Sequence, residues 1–426
     1  MSPEYVSRQV LFLAITVGLA IIGAALLFIY FQPSIRKRIR NWWLPLSVCG
    51  FIFTRPVLYY LVYFASGRGE IKGDVVWWQL EGLSALAGKM PYRDFTCMYS
   101  PLFPYLMAIP YGLWHHITSG ILLFMVFDLL CLVMLYKLTS MILDTDCGKD
   151  IVLLNMLNPI MWLITVRYGQ DECIIAFFIL AAVYAHMRKN DRVTPIVMAL
   201  GIMFTKITSS VAMFAIYTYS SKKVRDALLI IGLMLVMYIP FYSAGIHLLD
   251  PFIRQSKAIE GLSITAFIND IILPSSARLF LQRVSSVLTV AMVAVILYMA
   301  HRRKVNIMEC IVITMMTFDL LAPVSYKMYR YWFLGPLSIY SIRTDQVRKF
   351  ILYSALLAVF EDFFLHPGFP AYAHYPMAVV ALAIFYIEIS YIVGMLKAGP
   401  ASEAAKANLP AHTESPALAG NLGAGS

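Results

Sequence analysis

Charge is scarce in this chain. Asp, Glu, Lys and Arg make up only 14% of its 426 residues, against about 25% in soluble domains. Hydrophobic residues make up 60% and mean hydropathy is +0.73, which excludes a soluble fold of this length. Cysteine pairing is missing too. Cys49, Cys97, Cys131, Cys147, Cys173 and Cys310 are scattered and form no Cys-x-x-Cys, so neither a zinc site nor a disulfide framework is expected. The chain has no Gly-x-Gly-x-x-Gly and no P-loop, so the usual phosphate-cradling nucleotide sites are excluded. No repeat of fixed period is present. Large apolar residues run out after Lys397, and residues 398–426 are expected to form a disordered tail.

What the chain has instead is a succession of apolar runs. About 20 such residues cross a bilayer. The first run, 10–31, is followed by no small-residue cleavage site and reads as an anchor helix. The net charge of +10 is spread in short basic clusters between the runs. That is how cytoplasmic loops look, and no nucleic-acid partner is expected.

The clusters set the topology. Arg36-Lys37-Arg38-Ile39-Arg40 follows the first span and belongs in the cytoplasm. A span over 44–65 then leads outward, so residues 66–100 face the non-cytoplasmic side. Residues 101–117, with Pro101, Pro104 and Pro110, read as partly embedded or interfacial. Runs 118–142, 151–168 and 172–187 follow. They place Gly169-Gln170-Asp171 outside and the Arg188–Arg192 cluster inside. Block 194–220 is interrupted by Lys206. As one span it would put Lys222, Lys223 and Arg225 outside, against the rule. As two short helices meeting near Lys206 it puts them inside. A lysine at such a junction reaches water or anionic ligands, whereas on lipid it costs a few kcal/mol or more. Runs 227–243, 284–300, 307–323, 331–342, 350–365 and 376–396 complete about 11–13 crossings. The expected fold is an all-α polytopic membrane protein. Residues 1–397 form one transmembrane domain, and 66–117 form its first outward loop with interfacial helices.

Chemistry is expected in the outward loops. In residues 73–95, Val75, Trp78, Leu83 and Leu86 share much of one helical face, with Trp77 and Leu80 near its edge. That suits a helix on the membrane surface, ended by Gly88 and Pro91. Asp74 stands at its start and has two readings: a cap, which Asp favours, or a general base at the water–lipid boundary. Arg93 and Asp94 are either solvated loop charges or substrate contacts, and Tyr99 lies just beyond them. Gln170, Asp171 and Glu172 cap a helix or line a polar cavity. The stretch 326–332 (Tyr-Lys-Met-Tyr-Arg-Tyr-Trp) is an interfacial anchor or, through Lys327 and Arg330, a phosphate clamp.

Taken in order, these residues have a familiar pattern. An outward loop with Asp74 is followed by Gly88-x-x-Pro91-Tyr92, Tyr99-Ser100-Pro101-Leu102, Phe127-Asp128-Leu129-Leu130, Asn158-Pro159, Gly169-Gln170-Asp171 and Lys206. Over about residues 66–215 this resembles GT-C class membrane glycosyltransferases, and among them polyprenol-phosphate-mannose-dependent mannosyltransferases. The GPI first-mannose enzymes of that group carry Asp-x-Asp in this loop. Here Lys72 stands at the first position and Asp74 at the second, so no metal site and no cofactor are expected. The resemblance implies a GT-C-like bundle and an inverting transfer of a sugar, mannose by resemblance. The donor is a polyprenyl- or dolichyl-phosphate sugar and the acceptor a lipid or glycan. It implies Asp74 as catalytic base and Lys206, Arg330 and Lys327 around the donor phosphate. Arg93, Asp94, Tyr99, Gln170, Asp171 and Trp77 would contact substrate. Membrane lipids and a small membrane-protein subunit are the other partners it suggests.

A secondary transporter, or a flippase for lipid-linked sugars, is the competing expectation. Transporters usually show inverted repeats and paired broken helices, and here one break, near Lys206, has no counterpart. The ionisable residues within spans (Arg55, Asp128, Lys206, Asp319 and Glu388) form no evident relay in sequence.

Overall fold

The computed structural model describes residues 3–65, 74–249, 259–271, 278–361 and 371–398. Lys72 and all but the first residue of the expected tail lie outside them. The chain is an all-α multi-pass membrane protein. Its helices are α1 (Pro3–Tyr30), α2 (Pro33–Ala65), α3 (Asp74–Leu86), α4 (Phe103–Leu113), α5 (Ser119–Ile142), α6 (Thr145–Leu157) and α7 (Pro159–Arg167). Next come α8 (Glu172–Met187), α9 (Val193–Met203), α10 (Ile207–Tyr217), α11 (Lys223–Tyr238) and α12 (Ile264–Ile271). The last are α13 (Arg278–Arg302), α14 (Ile307–Leu321), α15 (Tyr331–Arg343), α16 (Val347–Val359) and α17 (Ala371–Ala398). Two-residue strands, Glu260–Gly261 and Val324–Ser325, pair in parallel.

Five stretches among the described residues are long and apolar enough to cross a membrane. They are Pro33–Ala65, Ser119–Ile142, Lys223–Gly245, Phe280–Arg302 and Tyr375–Ala398. The pair α6 and α7, bent by 54°, makes a sixth if read as one broken span. Helix α1, at 28 residues, also has the length of a crossing, and the remaining helices are shorter. Their burial shows why they need no lipid-spanning length: every residue of α15 from Tyr331 to Ser341 is buried, as is nearly all of α14. The long helices carry the apolar outer surface. Leu228, Leu235 and Val236 on α11 are exposed, as are Val287 and Val290 on α13 and Val379 and Tyr386 on α17. In water such a surface would be unfavourable by about 25 cal/mol per Å²; in lipid it is at home.

Loop charges pair within the sets that the sequence assigns to one face. Arg36 and Arg40 bond Asp150, with Arg40 also on Asp146. Lys222 meets Asp191 at 3.0 Å. Arg343 bonds Glu309, and Arg303 donates to the Leu396 carbonyl.

Breaks in the helices put residues where straight helices could not. Asn158 caps α7 by accepting from Ile160 N–H at 3.3 Å, with Pro159 at the first helical position. Its amide donates to Ser354 at 3.1 Å, which ties the bend to α16. The chain also breaks between α9 and α10. There Ser100 N–H donates to Thr205 C=O at 3.0 Å and Leu102 N–H to Met203 C=O at 3.3 Å. Carbonyls freed by the break thus hold the first loop.

The charges within spans form fixed pairs. Arg55 Nε donates to Asp128 at 2.6 Å and Arg55 Nη1 to Met156 C=O at 2.6 Å, and Tyr331 also bonds Asp128. Arg55 and Asp128 are fully buried. Removing one partner from such a pair typically destabilises by about 3–5 kcal/mol. Asp128→Ala is therefore expected to lower the thermal midpoint of the detergent-purified protein sharply, and Asp128→Asn less so. An unchanged midpoint in Asp128→Ala would remove this pair from the forces that hold the bundle.

Candidate active site

Helix α3 is built by the pattern of its residues. Val75, Trp78, Glu81, Gly82 and Ala85 are buried along one face. Gly82 permits the close crossing of α4, since a Cβ there would lie 2.7 Å from the Tyr111 ring and 3.0 Å from Met107 C=O. The helix ends in a Schellman turn. Gly88 takes φ +74°, its N–H donates to Ala85 C=O, and Lys89 N–H donates to Ser84 C=O. The buried face differs from the expected one: Leu86 is exposed and Glu81, a charged residue, lies inside.

Asp74 is the first helical residue, where the helix dipole favours a carboxylate. Its Oδ2 accepts from Gln170 Nε2 at 3.0 Å. Gln170 is delivered by the end of α7. That helix finishes in a π turn over Leu163–Arg167, and Gln170 N–H then reaches back to Ile164 C=O. Gly169 turns the chain at φ +57°, and an added Cβ would meet Ile121 and Val75 at 3.0 Å. Asp171 occupies the cap position of α8 but makes no side-chain cap bond. Its Oδ1 instead takes Tyr99 Oη at 3.2 Å and lies 3.1 Å from Lys206 Nζ.

Lys206, at the break between α9 and α10, is the centre of this arrangement. Its Nζ is 2.6 Å from Glu172 Oε1 and lies over the rings of Tyr99 and Tyr329 at 5.4 and 5.2 Å. Trp332 donates its indole N–H to the other Glu172 oxygen, and Tyr329 stacks on Trp332 at 4.9 Å.

Between these groups lies a cavity of about 540 Å³. The first loop supplies Asp74, Trp77, Trp78, Glu81, Thr96, Met98 and Tyr99. The α7–α8 turn supplies Gln170 and Glu172, the helix break Lys206, and the late aromatic loop Tyr326, Met328 and Tyr329. Segments more than two hundred residues apart thus close one site. Trp77 stands at its rim, 62% exposed.

Four expected contributors stand elsewhere. Arg330 is fully buried and bonds Glu388 at 3.1 Å, Ser325 at 2.7 Å and Leu262 C=O at 2.5 Å. Lys327 bonds Tyr168 at 2.9 Å and Glu361 at 3.0 Å. Both cations are taken up inside the fold, and the cavity wall there is formed by their neighbours Tyr326, Met328 and Tyr329. Arg93 and Asp94 pair with each other at 2.8 Å away from the cavity. The Arg93 guanidinium holds the Asp94 carboxyl at about 2. Among the described residues no group of three or more His, Cys, Asp and Glu side chains is arranged to hold a metal ion.

Glu81 is the residue that sequence reading passed over. Its interval of seven from Asp74 puts both on one side of α3, and that interval was the available signal. The carboxyl is 4% exposed. Burial pushes it up to about 8, against an ordinary value of 4.5, although the Met98 backbone bonds it. The folded protein therefore holds a proton that the unfolded chain releases. Stability from this group is present below the unfolded value and falls as pH rises toward about 8. Thermal melting between pH 5 and 8 should show that decline, and Glu81→Gln should flatten it. The same slope in Glu81→Gln would show that the decline comes from other groups.

No known family model matches the chain. Over 122 residues the chain is 34% identical to GPI mannosyltransferase 1 from Kluyveromyces lactis. That stretch is 28% of this chain and spans 29% of the length of that protein. In this segment the chain is similar to a mannosyltransferase.

Proposed function

We propose that the protein is an integral-membrane mannosyltransferase of the GT-C type. It would take mannose from a polyprenyl-phosphate donor at the non-cytoplasmic face and pass it to a lipid or glycan acceptor. The observation that carries this reading is the cavity itself. Asp74, Gln170 and Lys206, drawn from three separate segments, converge on one space, and part of the chain is similar to a mannosyltransferase. The charge pattern assigns all the segments around it to the outward side.

The geometry supports an inverting displacement. The acceptor hydroxyl oxygen attacks the anomeric carbon from the face opposite the phosphate. The bond from that carbon to the phosphate oxygen breaks, the configuration inverts, and polyprenyl phosphate leaves with the electron pair. Asp74 accepts the hydroxyl proton, and Gln170, bonded to its Oδ2, keeps the carboxylate oriented. Lys206 has three N–H donors, and Asp171 and Glu172 engage two of them. Among the described residues no carboxylate takes the third, which can meet a phosphate oxygen. Such a charge-assisted bond stabilises the leaving phosphate monoester, which gains a second negative charge, more than the singly charged phosphodiester of the donor.

Positioned general bases contribute about 10²–10⁴-fold in rate. Asp74→Asn should therefore lower kcat for mannose transfer from a short-chain prenyl-phosphate mannose by at least about 100-fold, with the melting midpoint unchanged. Transfer at the wild-type rate would remove Asp74 from the mechanism, and a wild-type protein that consumes no such donor would overturn the reading as a whole.

A further inference from the structure

Two buried polar atoms on cavity-lining residues of α3 have no partner among the described residues. They are the indole Nε1 of Trp78 and the carboxyl Oε2 of Glu81. Both residues line the cavity, and both are more than nine-tenths buried, at 1% and 4% exposure. A buried polar group left unbonded costs about 1–3 kcal/mol. A pair of them on one wall is a place where a ligand finds hydrogen-bonding groups already desolvated.

The pair is also rigidly held. Trp78 packs edge-on against Phe124 at 5.1 Å and against Tyr99 and Phe103 at 6.4 and 6.5 Å. The Glu81 carboxyl is bonded by the Met98 backbone. Gly82 seats this part of the helix against α4. Trp78 and Glu81 are three residues apart, about 4.5 Å along the axis, which is the scale of one pyranose ring. Asp74 is about 10.5 Å from Glu81 by the same measure, far enough to leave the reacting hydroxyl and this pair at different parts of a bound sugar.

We propose that Trp78 and Glu81 form a sugar-reading subsite, in which the indole N–H donates to one hydroxyl of a hexose and the carboxyl bonds a neighbouring one. The subsite rests on the transferase reading for its reaction but not for its binding. With its proton held to about 8, the Glu81 carboxyl at neutral pH is a donor and an acceptor together, which suits a hydroxyl that is both. A carboxamide offers the same pair of roles, so Gln is the conservative replacement. The hexose belongs to the donor or to the acceptor, and the two are told apart by which Michaelis constant moves.

The test uses the full-length protein in detergent with Glu81→Leu, Glu81→Gln and Trp78→Phe, each checked for the wild-type elution profile and for cooperative melting. Glu81→Leu and Trp78→Phe should raise KM for one sugar-bearing substrate at least tenfold while kcat stays within threefold of wild type. Glu81→Gln should stay within threefold in both. Should the leucine variant fail to fold, Trp78→Phe and Glu81→Gln carry the comparison. Unchanged KM for both substrates, or a fall in kcat alone, overturns the subsite and leaves the transferase reading standing. If the wild type transfers no mannose, the transferase reading fails. Titration with methyl α-mannoside, followed by tryptophan fluorescence, then decides the subsite. At least tenfold weaker binding by Glu81→Leu and Trp78→Phe supports it. Equal binding, or no binding by the wild type, overturns it.

Discussion

A helix interrupted within a membrane protein must find new partners for the backbone groups it releases, because hydrocarbon offers none. The break between α9 and α10 obeys that constraint by bonding the first loop. Met203 and Thr205 present carbonyls, and Leu102 and Ser100 supply the N–H groups. The same break presents Lys206, which needs counter-charges and finds Asp171 and Glu172 at the start of α8. The first loop, the α7–α8 turn and the late aromatic loop are all fixed relative to that one point. Tyr99 illustrates the coupling: its hydroxyl bonds Asp171, its ring faces the Lys206 ammonium, and its neighbour Ser100 bonds the broken helix.

Pairing also decides which charges are free for chemistry. Arg55 and Asp128 neutralise each other, as do Arg330 and Glu388, and Lys327 is matched to Glu361. These pairs belong to the scaffold. What remains at the cavity is rich in acids: Asp74, Glu81 and Glu172 line it, and Lys206 is the cation among the described lining residues. Burial disfavours the charged form of a carboxyl, and the neighbouring carboxylates add to that; Glu81, enclosed on α3, is held protonated chiefly by its burial.

Much of the fold was legible because lipid imposes length and charge rules that act on sequence directly. The end of α3 at Gly88, the span of α8 and the split at Lys206 all follow from such rules, and the structure has each of them. Which of the shorter helices cross fully was less legible. A short helix buried among others, such as α15, has the same apolar composition as one that faces lipid, and only packing tells them apart. The site was legible in part. Asp74, Trp77, Tyr99, Gln170 and Lys206 line the cavity because the first loop, the α7–α8 turn and the helix break converge there. Lys327 and Arg330 stand apart from the cavity, since a basic residue beside aromatics has the same appearance in sequence whether it awaits an anion or already holds a carboxylate. Their partners, Glu361 and Glu388, are 34 and 58 residues away, too far for any local pattern to show.

With Arg330 and Lys327 committed to the scaffold, the leaving-group charge in the proposed transfer falls to Lys206 alone among the described cavity residues. An ammonium shared by two carboxylates is a weaker partner for phosphate than a free one, since part of its field is already spent. That arrangement has a use. Before a donor binds, the two carboxylates keep the buried lysine charged and in place, which burial alone would oppose. As the phosphate arrives, its charge competes for an ammonium already aimed at the cavity, and no side chain has to be reoriented. The attacking and leaving sides of the reaction would then be held by one connected set of bonds. It runs from Asp74 to Gln170, through the α7–α8 turn to Asp171, and from there to Lys206. A displacement of that turn would shift the base and the cation together, so the geometry of transfer depends on the backbone between Tyr168 and Glu172 as much as on Asp74 itself.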